Sequence, residues 1–343
     1  MKRKVKKICL RPLQEVAILS DGRITTCCAD RKGVNTFASI YDDNFDTTFS
    51  QKFQEFKQKF AHNMINFPFC VKCFWKRRNY YNDFHKRNPA PDEVSNFLHK
   101  ESIPKGLVIE MTSLCNLNCG RCISGSKRLK KYRQSPMINV DRLERWLESG
   151  IENVKFIRLY NYGETFLHPR SFDFCSSLTR KNPLIDIDIA TNLLPLNTEK
   201  KIEKIIRAQP NILVVSLHGA SQNSVSKFMG PNADFERVIG IMRKIIIKRN
   251  ELKLDFPVII WKYLLLKFSD SDEEMSAAQS IREKYGIDFL GFDIALGRFA
   301  SKRFYKGSKD FDNLKKSEYY IWNVAQKIST KNLKRKIIDN NCQ

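Results

Sequence analysis

The stretch "CNLNCGRC", Cys115 to Cys122, sets three cysteines in eight residues with the spacing Cys-x3-Cys-x2-Cys. It follows closely on "GLVIEMT", Gly106 to Thr112, an apolar run of the kind that forms a buried strand. A cluster of thiols just past a strand lies where α/β proteins place their chemistry, at the carboxyl end. Three thiolates cannot close a tetrahedral site, and a structural zinc site takes four ligands. No fourth cysteine or histidine lies nearby in the sequence. Three ligands on one short loop suit one corner of a cubane cluster, with an open position left for catalysis.

Downstream, strand-like and helix-like segments alternate. Further strands are expected at "VKFIRLYN" (Val154 to Asn161), "IDIDIATN" (Ile185 to Asn192) and "NILVVSLH" (Asn211 to His218). Two more are expected at "PVIIWKYLLL" (Pro257 to Leu266) and "IDFLGFDIAL" (Ile287 to Leu296). Between them lie helical patterns, among them "NVDRLERWLESG", "HPRSFDFCSSLTRK", "NTEKKIEKIIRAQ" and "NADFERVIGIMRKIIIKR". Several open on Asn or Ser, which cap first-turn amides. Right-handed crossovers turn such a β/α series into a parallel sheet, open or curled toward a barrel.

Upstream the pattern differs. "EVAILSDGRITTCC" holds two short alternating runs around Asp21-Gly22, a hairpin signal. "TTFSQKFQEFKQKF" spaces Phe49, Phe53, Phe56 and Phe60 as one face of a helix, better suited to a core than to chemistry. "KRNPAPDEV", Lys86 to Val94, marks a boundary by its prolines and charges. The expected organisation is a cysteine-rich segment over 1–85, a linker over 86–104, a β/α core over 105–297 and a helical tail over 298–343. In the tail, "SEYYIWNVAQKI" reads as a helix packing its aromatics onto the core.

The 343 residues carry 60 Lys plus Arg against 37 Asp plus Glu, a net charge of +23. That balance favours acidic partners, although a solvated basic surface gives the same number. "FPVIIWKYLLLKF" is too short to span a bilayer and carries Lys262 in its middle. The basic start lacks the apolar region of a secretory signal. The expectation is a soluble, cytoplasmic protein with no membrane span. Ten cysteines, eight of them before residue 123, then point to metal or catalysis rather than disulfides.

Cys115, Cys119 and Cys122 after the first strand of a six-strand series resemble the radical SAM superfamily, over roughly residues 104 to 297. The resemblance implies a partial (β/α)6 barrel, a [4Fe-4S] cluster on those three cysteines, and S-adenosylmethionine chelated to the fourth iron. It implies reductive cleavage of that cofactor to a 5'-deoxyadenosyl radical, which takes hydrogen from substrate. "NYGETFLHP" is similar to the family's Gly-Gly-Glu-Pro element, so Gly163 and Glu164 would hold the methionine ammonium. Thr191 and Asn192 match Thr-Asn-Gly, and Ser216 matches a residue reaching the cofactor's ribose or carboxylate. His218 follows as a further cofactor-binding candidate, or as a satisfied polar residue at a strand end. The chain departs from the pattern at Arg121, where an aromatic residue is usual, and at Tyr162, Thr165 and Leu193.

Cys9, Cys27, Cys70 and Cys73, with Gly22 in the turn, resemble the SPASM-type auxiliary-cluster segment, here placed before the core rather than after it. The usual later cysteines are missing, which implies one auxiliary [4Fe-4S] cluster, fully ligated by protein. Zinc fits the same four thiolates. Cys28 is an alternative to Cys27, with its side chain expected on the other face. Cys175 and Cys342 read as bystanders.

The resemblance implies an oxidoreductase whose auxiliary cluster takes the second electron from a peptide or a sugar or cyclitol substrate. A low-potential donor such as a flavodoxin or ferredoxin would supply the first electron. Two other readings fit parts of the sequence. One is radical SAM chemistry on RNA, from "FWKRRNYY" (Phe74 to Tyr81), "KRLKKYR" (Lys127 to Arg133) and "NLKRKIIDNN" (Asn332 to Asn341). The other is a zinc-stabilised nucleic-acid-binding protein without catalysis.

Overall fold

The computed structural model describes residues 9–76, 96, 98 and 102–329, apart from 43, 64, 65 and 121. The expected linker around Lys86 to Val94, the segment Asn332 to Asn341, Cys342 and most of Phe74 to Tyr81 lie outside the described residues. The chain divides into two compact units. One holds Met1–Ser113, Arg128–Gly163 and Leu184–Asp186; the other holds Leu114–Lys127, Glu164–Pro183 and Ile187–Gln343.

The first unit begins with the expected hairpin. β1 (Glu15–Ile18) and β2 (Arg23–Thr25) pair antiparallel. Gly22 makes the turn at φ +83°, a value that favours glycine, and its N–H donates to Leu19 O at 2.8 Å. β3 (Thr36–Ser39) extends the sheet on the β2 side. On the other side β1 runs parallel to β4 (Gly106–Ile109), which pairs parallel with β5 (Phe156–Leu159). The β1–β4 pairing joins residues about ninety apart and has no local signal.

The helices of this unit are α1 (Arg11–Gln14), α2 (Ser50–His62), α3 (Pro68–Lys76) and α4 (Val140–Leu147). The phenylalanine stripe is core, as its spacing predicts. Phe49, Phe53, Phe56 and Phe60 are buried, and Trp146 of α4 meets Phe45 and Phe49 edge-on at 4.5 and 4.9 Å. Burying each ring is worth about 1.5–3 kcal/mol.

The second unit holds α5 (Ser171–Lys181), β6 (Asp186–Thr191), α6 (Glu199–Ala208), β7 (Ile212–Ser216), α7 (Gln222–Met229) and α8 (Phe235–Glu251). β8 (Val258–Leu265), α9 (Asp272–Tyr285), β9 (Phe289–Ile294), α10 (Lys309–Lys316) and α11 (Ile321–Ser329) follow. β6 to β9 pair in order, all parallel. Each of the six strands expected from the β/α series lies within its expected limits. Helix α7 was not expected; a capping box between Ser221 and Ser224 starts it.

Strand alternation sorts the faces of this sheet. Ile212, Val214, Val258, Ile260 and Phe289 pack against Ile321, Val324 and Ile328 of α11. Gly291 allows that approach, since a Cβ there would lie 2.4 Å from Ile321 Cδ1. One step further along the same face stand Ser216, Lys262 and Asp293, toward the carboxyl ends. The tail helix thus packs on the core, but through Ile321, Val324 and Ile328 with Tyr320 beside them rather than through its aromatics as expected, and Trp322 is exposed.

Candidate functional site

The cysteine loop belongs to the second unit, and the strand ends hold it. Leu114 O accepts from Glu164 N at 2.7 Å, and Gly120 N donates to Phe228 O at 2.7 Å. Gly120 has no room for a side chain, because a Cβ would sit 2.5 Å from the Phe299 ring. Cys115, Cys119 and Cys122 are each half-buried. Burial pushes the Cys115 thiol up to about 11 and Cys119 up to about 12, with the neighbouring thiols adding to both. Thiols that resist ionisation, as Cys115 and Cys119 do, are what a cationic iron centre would turn into ligands.

Glu164 gathers the ends of the next two strands. Its carboxylate accepts from Thr191 Oγ1 at 2.7 Å, Asn192 N at 2.7 Å and Phe166 N at 3.2 Å. It is buried, and burial pushes its pKa above the usual carboxylate value against the pull of those three donors. Among the described residues no lysine or arginine pairs with it. Three donors fill most of a carboxylate's roughly four acceptor positions, leaving about one. Asn192 Nδ2 reaches Asn116 Oδ1 at 3.0 Å and lies 4.0 Å from Cys115 Sγ. The expected Glu164, Thr191 and Asn192 therefore converge beside the cysteine loop. Gly163 has φ +87°, open to glycine. Leu193 takes φ +63° where the family pattern has glycine, at a cost of about 1–2 kcal/mol, and its N–H donates to Thr191 Oγ1 at 2.9 Å.

Ser216 ends β7 half-buried, in register with Lys262. His218 is buried, and its Nδ1 accepts from Leu264 N at 3.2 Å. Burial, with Lys262 near, lowers its pKa to about 3. It is a neutral ring bridging two strands, with only Nε2–H left to donate. Lys262 and Asp293 form an ion pair at 3.3 Å that the sequence reading missed. A charged residue inside each apolar strand was the available signal. Asn161, at the end of β5 in the first unit, was missed too. Its Nδ2 is buried with no hydrogen-bond partner among the described residues.

The N-terminal cysteines meet in the first unit. Cys27 and Cys70 are buried, Cys9 and Cys73 half-buried. Burial pushes Cys70 up to about 12, and Cys9 and Cys73 are near enough to push it further. Cys27 is raised by burial first and then by Cys28, with Cys70 a further cause. Cys28 is raised by burial, with Arg11, Glu15 and Arg158 the charges near it. Cys70 Sγ accepts from Asn35 Nδ2 at 3.2 Å, and Thr26 Oγ1 lies 3.8 Å away. Among the described residues no three ligating side chains converge as a single metal ion would require. A cubane does not require that, because each thiolate takes its own iron. Cys175 is buried in α5 with its thiol 4.0 Å from Ala208 O, a packing residue.

Of the basic segments, only Lys127 to Arg133 is fully described. Lys127, Arg128, Lys130 and Lys131 are exposed, but Lys32 covers the Tyr132 ring at 4.9 Å and Arg133 is buried on Glu110.

The radical SAM superfamily model matches residues 109–259, and the model of the SPASM iron-sulfur cluster-binding domain matches residues 9–74. The chain carries a radical SAM domain with a SPASM domain ahead of it in the sequence. It is a radical SAM enzyme whose cofactors are a [4Fe-4S] cluster, an auxiliary cluster and S-adenosylmethionine. No curated protein matches it. Among solved structures, Streptococcus suis SuiB bound to S-adenosylmethionine is 17% identical, covering 93% of this chain and 70% of its own, at TM-score 0.46. SuiB bound to precursor peptide SuiA is 16% identical, covering 81% and 61%, at 0.44. BtrN in complex with AdoMet and 2-DOIA is 20% identical, covering 40% and 50%, at 0.31. No described helix is long and apolar enough to cross a membrane.

Proposed function

We propose that this enzyme oxidises a peptide, or a sugar or cyclitol alcohol, by hydrogen abstraction followed by loss of a second electron. Cys115, Cys119 and Cys122 hold the cluster that binds S-adenosylmethionine, and Cys9, Cys27, Cys70 and Cys73 hold the auxiliary cluster. When bound, the first cluster and S-adenosylmethionine supply a 5'-deoxyadenosyl radical, with reducing equivalents from a flavodoxin or ferredoxin.

The observation that carries this reading is Glu164. Its buried carboxylate is met by neutral donors among the described residues and lies near Cys115, which feels its charge. An ammonium is the complement of such a group, and the cofactor's methionine end carries one. Thr191 and Asn192 fix the carboxylate in place, leaving a position for the ammonium. Gly163 gives the backbone room before it, and Ser216 offers a hydroxyl to the cofactor's ribose or carboxylate. His218 stays neutral and donates through Nε2 alone. Two cysteine sets, one per compact unit, support a second redox centre and hence a net oxidation.

The test is S-adenosylmethionine binding to anaerobically reconstituted enzyme, wild type beside Glu164→Gln. Binding weakened tenfold or more, about 1.4 kcal/mol, is expected with iron content unchanged. Equal affinity would remove Glu164 from the site. About eight iron falling to about four when Cys115, Cys119 and Cys122 become Ala would give each set its own cluster. One zinc in place of the second four would remove the electron acceptor. RNA recovered with the enzyme and converted by it would replace the substrate class.

A further inference from the structure

We propose that Asn35 and Thr26 set the reduction potential of the auxiliary cluster by hydrogen bonding to the Cys70 sulfur. This rests on the reading that the N-terminal cysteines bind an iron-sulfur cluster.

The geometry is specific. Asn35, Thr26 and Cys70 are 5%, 0% and 7% exposed. The Asn35 amide is oriented by its neighbours, since Oδ1 accepts from Phe69 N at 3.4 Å. That turns Nδ2 toward Cys70 Sγ at 3.2 Å and Thr26 Oγ1 at 3.4 Å. The Thr26 hydroxyl, accepting from Asn35, has its own proton to aim at the sulfur 3.8 Å away. Two donors from separate parts of the loop thus converge on one thiol. Asp30 holds the loop in shape, accepting from Thr25 Oγ1 at 2.6 Å, Val34 N at 3.0 Å and Asn35 N at 2.8 Å.

Donors to a ligating sulfur stabilise the cluster form with more negative charge, which is the reduced one. In a water-poor surrounding that effect is large. The pair therefore raises the potential and eases acceptance of one electron from a substrate radical. No proton or group moves in that step. Asn35 and Thr26 are positioning residues that act through Cys70.

The experiment uses the full-length chain with Cys115, Cys119 and Cys122 changed to Ala, reconstituted anaerobically, so that iron resides only in the N-terminal set. A reductive titration followed by electron paramagnetic resonance reads the potential. Asn35→Leu is expected to move it negative by a tenfold bias or more, 59 mV for one electron. Thr26→Val, nearly isosteric, moves it the same way by less. If Asn35→Leu fails to hold iron, Thr26→Val decides. Iron retained with the parent potential in both variants would overturn the inference alone. Zinc without iron in the parent would overturn the cluster reading, and the inference with it.

Discussion

Each compact unit buries a glutamate, and the two are treated differently. In the first unit Glu110 is 0% exposed and meets Arg133 through two hydrogen bonds, Nε to Oε1 at 2.6 Å and Nη2 to Oε2 at 3.0 Å. Ser20 N adds a third at 3.2 Å. In the second unit Glu164 has a hydroxyl and two amides, and among the described residues no cation. Burial raises both carboxyls, but only Glu110 has an arginine pulling it back. A complete ion pair has a structural use and leaves nothing for a ligand. A carboxylate held by neutral groups beside three thiols leaves the place of a cation open. Asp30 shows that neutral donors alone can satisfy a buried carboxylate in a tight loop, so the proximity of Glu164 to Cys115 is what marks it as a cofactor seat.

The largest expected effect tests the complete pair. Arg133→Met leaves Glu110 buried without its cation and should cost about 3–5 kcal/mol in denaturant unfolding. Glu110→Leu with Arg133→Met should recover most of it, because removing both charges also removes both desolvation costs. Glu164→Gln should cost less, about 1–3 kcal/mol for one disturbed buried donor set, yet weaken cofactor binding as above. If Glu164→Gln unfolds the protein as readily as Arg133→Met while binding is untouched, the two glutamates are alike and both structural.

His218 shows a third way to bury a titratable group, which is to give up the charge. Its folded pKa is depressed to about 3, against about 6.5 when unfolded. A neutral histidine contributes fully above pH 6.5, and its contribution is lost as pH falls from there toward 3. Between pH 6.5 and 5 the loss should be about 2 kcal/mol, at 1.36 kcal/mol per pH unit. His218→Asn keeps a side chain able to accept from Leu264 N and does not titrate. Unfolding free energies of the two proteins should converge by that amount from pH 7.5 to 5. Parallel curves would mean that His218 takes up its proton as readily folded as unfolded and is free to act otherwise.

Local signals in the sequence were enough for the cysteine loop, the hairpin at Gly22, the phenylalanine helix and the six β/α strands. Each is set by spacing or alternation within a dozen residues. Pairings between distant residues were not legible. Parallel β1–β4, the Glu110–Arg133 pair and the Asn35–Cys70 bond join residues 91, 23 and 35 positions apart, respectively. Arg133 read as part of a basic surface because the run around it is basic; only the fold turns it inward. Helix α7 was hidden because "SQNSVSKFMG" is too short and polar for a clear period. Leu193 departs from the glycine pattern, yet the structure keeps the left-handed turn and holds it with Thr191.

The smallest expected effect separates burial from hydrogen-bond count. Asn139 caps α4 in the first unit, its Oδ1 accepting from Arg142 N at 2.9 Å in an exposed position. Asn139→Ala should cost about 1 kcal/mol, because water can take over the freed amide. Arg133→Met should cost several times more, since no water reaches the freed Glu110 carboxylate. If the two variants lose similar stability in urea, the expense of the Glu110 site lies in its bonds rather than its burial. The neutral donors around Glu164 would then suffice to hold its charge, and the ammonium would lose its reason to sit there.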